Sequence, residues 1–352
     1  MSLTLTVDGD RWRAHLRTVA ETHPGLVPVA KGNGYGLTLG RLARKAQWLG
    51  VDTLAVGTYD ELPHVASRFD GSLLVLTPWR PFGAALETDP ALAGRLVHTI
   101  GRTDDLAALL ERQRDARFVL ERMTSMQRHG FSARELWAAA RLLHDRHPGA
   151  RLEGIALHLP LQQGSHLSEV SRLMNDVVAA ELPTRTIWVS HLTDAELAQL
   201  RASYADYDIR PRIGTGLWLG DRDALRVTAT VLDVHEVERG DAFGYRGRTA
   251  PKSGHLLVVS GGTAHGIGLE APTGDQSIRA RAATVARGGL DAVGFVRSPF
   301  SIDGKQRLFA EPPHMQASML FLPHGPRVPE VGDAVQVRVR YTATTFDRVV
   351  VS

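Results

Sequence analysis

The first two-thirds of the chain repeats one unit, a short apolar strand followed by an amphipathic helix. The run LVPVA at 26–30 precedes a stretch in which Leu39, Leu42, Ala43, Ala46 and Leu49 share one helical face. Six further short apolar runs lie at 53–56, 73–76, 96–99, 118–120, 154–158 and 186–189. Regular alternation of this kind predicts parallel strands with helical crossovers. Seven or eight units in roughly 220 residues predict a closed (β/α)₈ barrel.

The pattern changes after about residue 225, where apolar and polar residues alternate and few helical stretches remain. Examples are VTATVLDVHEVERG at 227–240, HLLVVSGG at 255–262 and AVQVRVRY at 334–341. Alternation with a period of two predicts an antiparallel β domain. We therefore predict a barrel at 9–224 and a second domain at 225–352, with the alternating strand at 1–8 pairing into the second domain.

Composition excludes several classes of function. The chain has 43% hydrophobic residues, 22% charged residues, a net charge of +3 and no cysteine. Because no dense run of lysine and arginine occurs, nucleic acid is not expected as a partner. No apolar run approaches the ~20 residues that span a bilayer, and the start does not resemble a signal peptide. We expect a cytoplasmic protein without disulfides, thiolate metal sites or any other bound metal.

Lys31 lies at the carboxyl end of the first strand, the end of such a barrel at which active sites occur. The residues after it, GNGYG at 32–36, allow a sharp turn beside a bulky group. Partial burial at the barrel mouth would lower the pKa of this lysine and make its amine nucleophilic toward an aldehyde. On position alone, a solvated loop lysine is an equally good interpretation.

The stretch PVAKGNGYG at 28–36 resembles the motif Ala-Lys-Ala-Asn-Ala-Tyr-Gly with which alanine racemases bind pyridoxal 5′-phosphate (PLP). Its lysine, asparagine and tyrosine match in register. The resemblance implies that Lys31 carries the cofactor as a Schiff base and acts as one of two catalytic bases, and that Tyr35 contacts the cofactor phosphate. Single-domain PLP-homeostasis proteins share this barrel and motif, so the motif indicates PLP more strongly than it indicates the reaction.

Two further segments match in the expected order. MQRHG at 126–130 resembles the family's Met-x-Arg-x-Gly, which implies that Arg128 lies beside the substrate carboxylate. His158, which closes the strand GIALH, falls on the family histidine that packs near the cofactor ring. Without the resemblance, a buried structural histidine is the simpler interpretation of His158.

RIGTGLWLG at 212–220 resembles the family's Arg-Pro-Gly-Ile-Ala-Leu-Tyr-Gly. This implies that Arg212 hydrogen-bonds the pyridine nitrogen, while backbone groups of Gly214 and Thr215 bind phosphate. Because a guanidinium keeps its proton, the ring nitrogen would stay unprotonated and draw electrons weakly, which suits simple removal and return of a proton. Ser190 and Thr193 are expected as phosphate ligands on a looser match, since the family's Asn-Ser pair is not clearly reproduced here.

The second domain carries fainter matches. MQASM at 315–319 resembles the family's Met-Asp-Gln-Cys-Met, and ERGDAFGYRGR at 238–248 resembles its Gly-Glu-Ser-Val-Gly-Tyr-Gly segment. The first match implies that Met315 reaches the substrate pocket of a partner subunit. The resemblance as a whole therefore implies a homodimer with shared active sites and an amino acid as substrate.

The sequence departs from the family at the second base, which is a tyrosine in Gly-Tyr-Ala-Asp-Gly-Tyr. The corresponding stretch is SGGTAHGIG at 260–268, where Thr263 replaces the tyrosine and His265 replaces the aspartate. A threonine hydroxyl is a far weaker acid than a phenol. Histidine is the residue type best suited to acid–base work at neutral pH, so we expect His265, or a water held near Thr263, to act as the second base. A structural loop histidine is an equally good interpretation.

Glu121 is a second departure, because the family often has a carbamylated lysine there. We expect its carboxylate to hold Arg128 in a charge-assisted pair. The leading hypothesis is a PLP-dependent amino-acid racemase with an altered second base. Two alternatives stay open: an enzyme that uses Lys31 alone on another amino acid, and a non-catalytic PLP-binding or regulatory protein. The related decarboxylases and metal-dependent enzymes of this barrel use a cysteine, which this chain lacks.

Overall fold

The computed structural model describes residues 2–161, 164–269, 296–325 and 327–352. The chain forms two compact units, Ala14–Gly220 and Met1–Arg13 with Asp221–Ser352, so the division falls within the first helix, α1 (Gly9–Thr22). The predicted barrel at 9–224 is slightly longer than the first of these units at both ends. The stretch 270–295 of the predicted second domain lies outside the described residues.

The unit Ala14–Gly220 is a closed barrel of parallel strands that follow one another in chain order, which confirms the predicted (β/α)₈ fold. Its strands are β2 (Val27–Ala30), β3 (Thr53–Val56), β4 (Ser72–Val75), β5 (Leu96–Ile100), β6 (Arg117–Arg122), β7 (Arg151–His158), β8 (Thr186–Ser190) and β9 (Asp208–Ile213). The remaining helices are α2 (Leu39–Leu49), α3 (Leu62–Ala66), α4 (Thr103–Arg112), α5 (Ala133–Arg146), α6 (Leu167–Ala179), α7 (Asp194–Ser203) and α8 (Thr215–Leu219). No helix among the described residues is long and apolar enough to cross a membrane. The cytoplasmic location stays a prediction.

The last barrel strand, β9, was not among the strands that the sequence analysis identified. Its sequence, DIRPRI, contains a proline and charged residues instead of an apolar run. The structure shows why charge is tolerated there: the Arg210 guanidinium lies 4.6 Å from the centroid of the Trp188 ring, and Arg212 is buried. Strands of this kind are not detectable from hydrophobicity, because neighbouring strands cover their charged side chains.

Alternate residues of the barrel strands fill the lumen. One apolar layer contains Val29, Ala55, Leu74, Val97, Val119, Ala156 and Trp188. Side chains along a strand alternate between its two faces. The residues two positions further on therefore continue the same lumen face toward the carboxyl ends: Lys31, Gly57, Leu76, Thr99, Glu121, His158 and Ser190. Charged and polar side chains thus replace the apolar layer at the mouth of the barrel, the end where such barrels carry active sites.

The other unit is a largely antiparallel sheet, as predicted. Its strands are β1 (Leu3–Val7), β10 (Leu225–Val237), β11 (Ala242–Phe243), β12 (Arg248–Thr249), β13 (Gly254–Ser260), β14 (Arg297–Ile302), β15 (Lys305–Phe309), β16 (Ala317–Pro323), β17 (Ala334–Val337) and β18 (Arg348–Val351). The main sheet has the order β13-β16-β15-β14-β17-β10-β1-β18, and β10 also pairs with β13. The N-terminal strand β1 pairs antiparallel with β10, as expected, and parallel with β18.

Candidate active site at the barrel mouth

Lys31 directly follows β2, and its side chain is open to solvent at the barrel mouth. The surrounding barrel wall lowers its pKa; the positive charge of Arg128 lowers it further, Glu61 raises it, and Arg212 lowers it. Space for this side chain depends on Gly57, since a Cβ at that position would lie 3.0 Å from the Lys31 Cβ. Lys31 is therefore a lysine whose neutral amine is favoured more than in an ordinary surface lysine.

Glu61 is a site residue that the sequence analysis did not identify. Its Oε1 accepts a hydrogen bond of 2.7 Å from the Gly32 N–H, and its Oε2 accepts one of 2.7 Å from the Gly57 N–H. The carboxylate thus joins the loop after β2 to the loop after β3, next to Lys31. In the sequence it appears only as the fourth residue of a capping box that begins at Thr58, a local signal that does not reveal the long-range contact.

Arg212 is buried in the mouth, and two hydrogen bonds orient its guanidinium. Its Nε donates to Ser190 Oγ at 3.1 Å, and one terminal nitrogen donates to the Leu157 carbonyl at 3.1 Å. Burial lowers the pKa of Arg212 to about 10, an effect that Glu121 opposes and Arg128 reinforces. The guanidinium remains charged at neutral pH, so the site presents a fixed cation in its lumen.

The predicted ion pair between Glu121 and Arg128 is absent from the part of the chain that the structure describes. Glu121 faces the lumen at the end of β6 and is buried, whereas Arg128 lies on an exposed part of the following loop. Burial raises the pKa of Glu121, while the charges of Arg212 and Arg128 lower it. Glu121 therefore interacts with both arginines electrostatically, without an ion pair to Arg128. Arg128, near the mouth and exposed, is available to an anionic ligand.

His158 lies at the end of β7, with its ring centroid 5.1 Å from that of His191. Burial lowers the pKa of His158 to about 3, and the charges of Arg212 and Arg128 act in the same direction. The ring is therefore neutral across the physiological range. The Nδ1 of His191 hydrogen-bonds the Leu159 carbonyl at 2.7 Å, which fixes the proton on that nitrogen. The sequence analysis did not identify His191, although it directly follows Ser190.

Tyr35 adopts a left-handed backbone conformation, with φ of 56°, and this turn buries its ring. Its hydroxyl lies against Gly214 so closely that a Cβ added there would overlap Tyr35 Oη. Burial and the nearby Glu61 charge raise the pKa of Tyr35 to about 12, so the hydroxyl keeps its proton and remains a donor. Tyr35 and Gly214 therefore lie side by side, Thr215 directly follows Gly214, and their contact with a phosphate stays a prediction.

The structure gives Thr193 a different role from the predicted one. It caps α7: its Oγ1 accepts a hydrogen bond from the Glu196 N–H at 3.3 Å and lies 3.0 Å from Glu196 Oε2. Glu196 also accepts a hydrogen bond from the N–H of His166 and one from the Ser165 hydroxyl. Because this network engages the Thr193 hydroxyl, it contradicts the predicted phosphate contact. Ser190 remains at the mouth, where it is held by Arg212.

Thr263, His265 and Met315 belong to the second unit, in two neighbouring turns. His265 is buried, its Nδ1 accepts from the Gly262 N–H at 3.2 Å, and its Nε2 lies 3.0 Å from Asp347 Oδ1. Since the backbone N–H can only donate and a carboxylate accepts, Nε2 carries the proton and Nδ1 has no free lone pair. These bonds contradict the predicted role of His265 as a base and make it an anchor of its turn. Met315 is 71% exposed.

A parallel barrel with a lysine directly after its first strand, accompanied by a largely antiparallel second unit, defines the class of fold type III PLP-dependent enzymes. Within that class, residues 7–218 match the family model described as alanine racemase, N-terminal domain. The chain therefore belongs to the alanine racemase family, and the curated relatives that it matches are alanine racemases.

Curated relatives and solved structures agree with this family. The alanine racemase of Nitratidesulfovibrio vulgaris is 29% identical over 277 residues, which cover 72% of each chain. The alanine racemase structure of Bartonella henselae, which has covalently bound pyridoxal phosphate, superposes with a TM-score of 0.73 at 17% identity over the whole of both chains. A histidine racemase from Leuconostoc mesenteroides gives a TM-score of 0.70 at 16% identity, over 99% of this chain and 98% of that one. These two structures are similar to this chain in fold.

Proposed function

We propose that this protein is a PLP-dependent amino-acid racemase in which Lys31 binds the cofactor and serves one face of the substrate. The observation that carries the proposal is the polar layer at the barrel mouth, where Lys31, Glu121, His158 and Arg212 replace the apolar lumen. Of these residues Glu121 and Arg212 are buried, and burying a charge costs free energy unless it interacts favourably. A cluster of perturbed pKa values at a barrel mouth is the arrangement expected of an active site.

The residues of the mouth fit PLP. Lys31 offers an amine with a lowered pKa for covalent attachment, and Arg212 offers an oriented N–H donor to the unprotonated pyridine nitrogen. The phosphate would be held by the Tyr35 hydroxyl and by backbone groups at Gly214 and Thr215. Gly214 supports this assignment because any side chain there would fill the space against Tyr35.

When bound, the cofactor supplies an electron sink that acidifies the α-hydrogen of the substrate amino acid. The residues of the chain supply the rest. Lys31 Nζ moves a proton at the α-carbon on one face, and its lowered pKa keeps a neutral amine accessible at lower pH than in a free lysine. Arg128, a cation near the mouth with no ion-pair partner among the described residues, would orient the substrate carboxylate. His158 would lie beside the cofactor ring as a neutral group.

We further propose a homodimer in which the second domain of a partner subunit completes each site, as the resemblance implies. Two large side chains of that domain support an interface, because Tyr245 is 91% exposed and Met315 is 71% exposed. The substrate is an amino acid. The structural neighbour named histidine racemase indicates that enzymes with this fold are not restricted to alanine as substrate.

Proton NMR of the PLP-loaded protein in D₂O tests the proposal, with L- and D-amino acids followed for loss of the α-proton and for chirality. Exchange with inversion is expected. Exchange with retention would favour an enzyme that uses Lys31 alone. Absence of exchange with every amino acid, at full cofactor occupancy, would contradict the proposal and favour a non-catalytic PLP-binding or regulatory protein.

A further inference from the structure

In the second unit, the turn Thr263–His265 is fastened to the segment at 314–315. The Thr263 N–H donates to the His314 carbonyl at 2.8 Å, and the Ala264 N–H donates to the Met315 carbonyl at 2.9 Å. Thr263 stands where the resembled family has its second catalytic base, and His314 is its immediate neighbour in space. The two residues are far apart in sequence, so aligning the Thr263 loop with the family motif does not reveal that His314 lies beside it.

A buried carboxylate orients the side chain of His314. Its Nε2 lies 2.8 Å from Glu311 Oε1, and Glu311 is 2% exposed in its side chain. The other oxygen, Oε2, accepts a hydrogen bond of 2.9 Å from the Tyr245 N–H, which fixes the carboxylate on both sides. Because the carboxylate accepts, His314 Nε2 carries the proton and Nδ1 holds a lone pair.

The His314 side chain is 48% exposed, and within the described ranges its Nδ1 makes no hydrogen bond. This is the arrangement of a general base: one nitrogen is held by a carboxylate and the other is free to exchange a proton. His265, three residues before Gly268 in the neighbouring turn, is the opposite case, since both of its nitrogens are already hydrogen-bonded.

We propose that His314 is the acid–base residue for the second face of the substrate α-carbon, with Glu311 as its positioning residue. The inference rests on the proposed racemase function and on the proposed dimer, in which His314 comes from the partner's second domain. In one direction, His314 Nδ1 takes the α-proton as the C–H bond breaks, and Lys31 Nζ delivers a proton to the opposite face. The electron pair of the broken bond forms the new C–H bond, so no oxidant or reductant is needed.

The test compares His314→Gln with His265→Gln in the full-length, PLP-loaded protein. Glutamine keeps a donor toward Glu311 but cannot exchange a proton near neutral pH. We expect His314→Gln to lower inversion in D₂O by about 10²–10⁴-fold, while the exchange that Lys31 catalyses with retention continues. Cofactor content and melting temperature should stay at wild-type values. His265→Gln should lower the melting temperature and leave inversion by the folded fraction within a few-fold of wild type.

Two further measurements separate a catalytic role from a structural one. Added imidazole should restore inversion to His314→Ala in a concentration-dependent way and should not affect wild type. Glu311→Gln should lower kcat and move its pH profile, while KM stays near the wild-type value. Inversion at the wild-type rate in His314→Gln would overturn the proposal for His314. A wild-type protein that exchanges no α-proton would instead overturn the proposed function itself.

Discussion

Two glycine-rich loops of this protein, 31–36 after β2 and 261–268 after β13, differ in whether the loop itself carries the reactive side chain. In the first, Gly34 has φ of 65° and a Cβ there would clash with the Leu39 backbone, while Lys31 and Tyr35 in the same loop face the site. In the second, a Cβ at Gly262 would overlap the His314 carbonyl. The reactive side chain is there contributed by the neighbouring segment.

The difference has a physical basis. A loop whose glycines allow it to pack closely on another segment keeps its backbone path even when its own side chains change. The acid–base group can then come from the segment against which it packs, provided that a carboxylate such as Glu311 orients it. The first loop specifies its chemistry in its own sequence. The chemistry of the second depends on a contact between distant parts of the chain.

Among the substitutions that test this difference between the loops, Lys31→Ala should have the largest effect. The variant should lose covalent attachment of the cofactor, and its turnover should fall by about 10⁴-fold, because one residue provides both the anchor and a base. Absorbance near the visible edge of the spectrum and racemisation rate measure the two losses. Lys45→Ala, at a lysine that lies over the Trp48 ring, is the matched control and should behave as wild type. Survival of the absorbance band in Lys31→Ala would remove this lysine from the site.

The same contrast explains how much could be predicted from sequence. The barrel strands other than β9 follow from apolar periodicity, and the placement of Lys31, His158 and Arg212 follows from strand ends and matched motifs. Glu61 and His191 were not identified, because their roles arise from hydrogen bonds and ring contacts between separate loops. Thr193 and His265 were assigned by register, and their hydrogen bonds, which no register reveals, give them structural roles.

Arg128→Ala should produce the next largest effect. Loss of a charge-assisted hydrogen bond to the substrate carboxylate costs about 1.5–3 kcal/mol, equivalent to roughly 10–150-fold in kcat/KM. Cofactor attachment should be retained, which separates substrate recognition from cofactor binding within the mouth. Arg141→Ala, on the outside of the barrel over the Trp137 ring, is the matched control. An unchanged kcat/KM in Arg128→Ala would show that another group binds the carboxylate.

Gly214→Ala tests the contact that supports the phosphate site. The added methyl group would overlap Tyr35 Oη, and overpacking of this kind costs about 1–3 kcal/mol, so PLP affinity should fall by roughly 5–150-fold. Adding Tyr35→Phe should not restore the affinity, because it removes the clashing oxygen and with it the hydroxyl that is proposed to bind the phosphate. Gly216→Ala, whose Cβ would meet only Ile213 at 3.5 Å, is the control for a glycine in the same helix. Equal affinity in Gly214→Ala and wild type, measured by titration of the apoprotein, would argue against this phosphate site.

The last prediction concerns stability and not activity, at the neutral histidine of the barrel mouth. The pKa of His158 is about 3 in the folded protein and near 6.5 when unfolded, so its contribution to stability is complete above about pH 6.5. Between about pH 6.5 and 3 the unfolded chain binds the extra proton, and this contribution is lost as pH falls, by at most ~1.4 kcal/mol per pH unit. The melting temperature of the His158→Gln apoprotein should therefore fall less between pH 7 and 4 than that of wild type. His64→Gln, at an exposed histidine, should follow wild type, and parallel curves for all three proteins would show that the mouth leaves His158 free to charge.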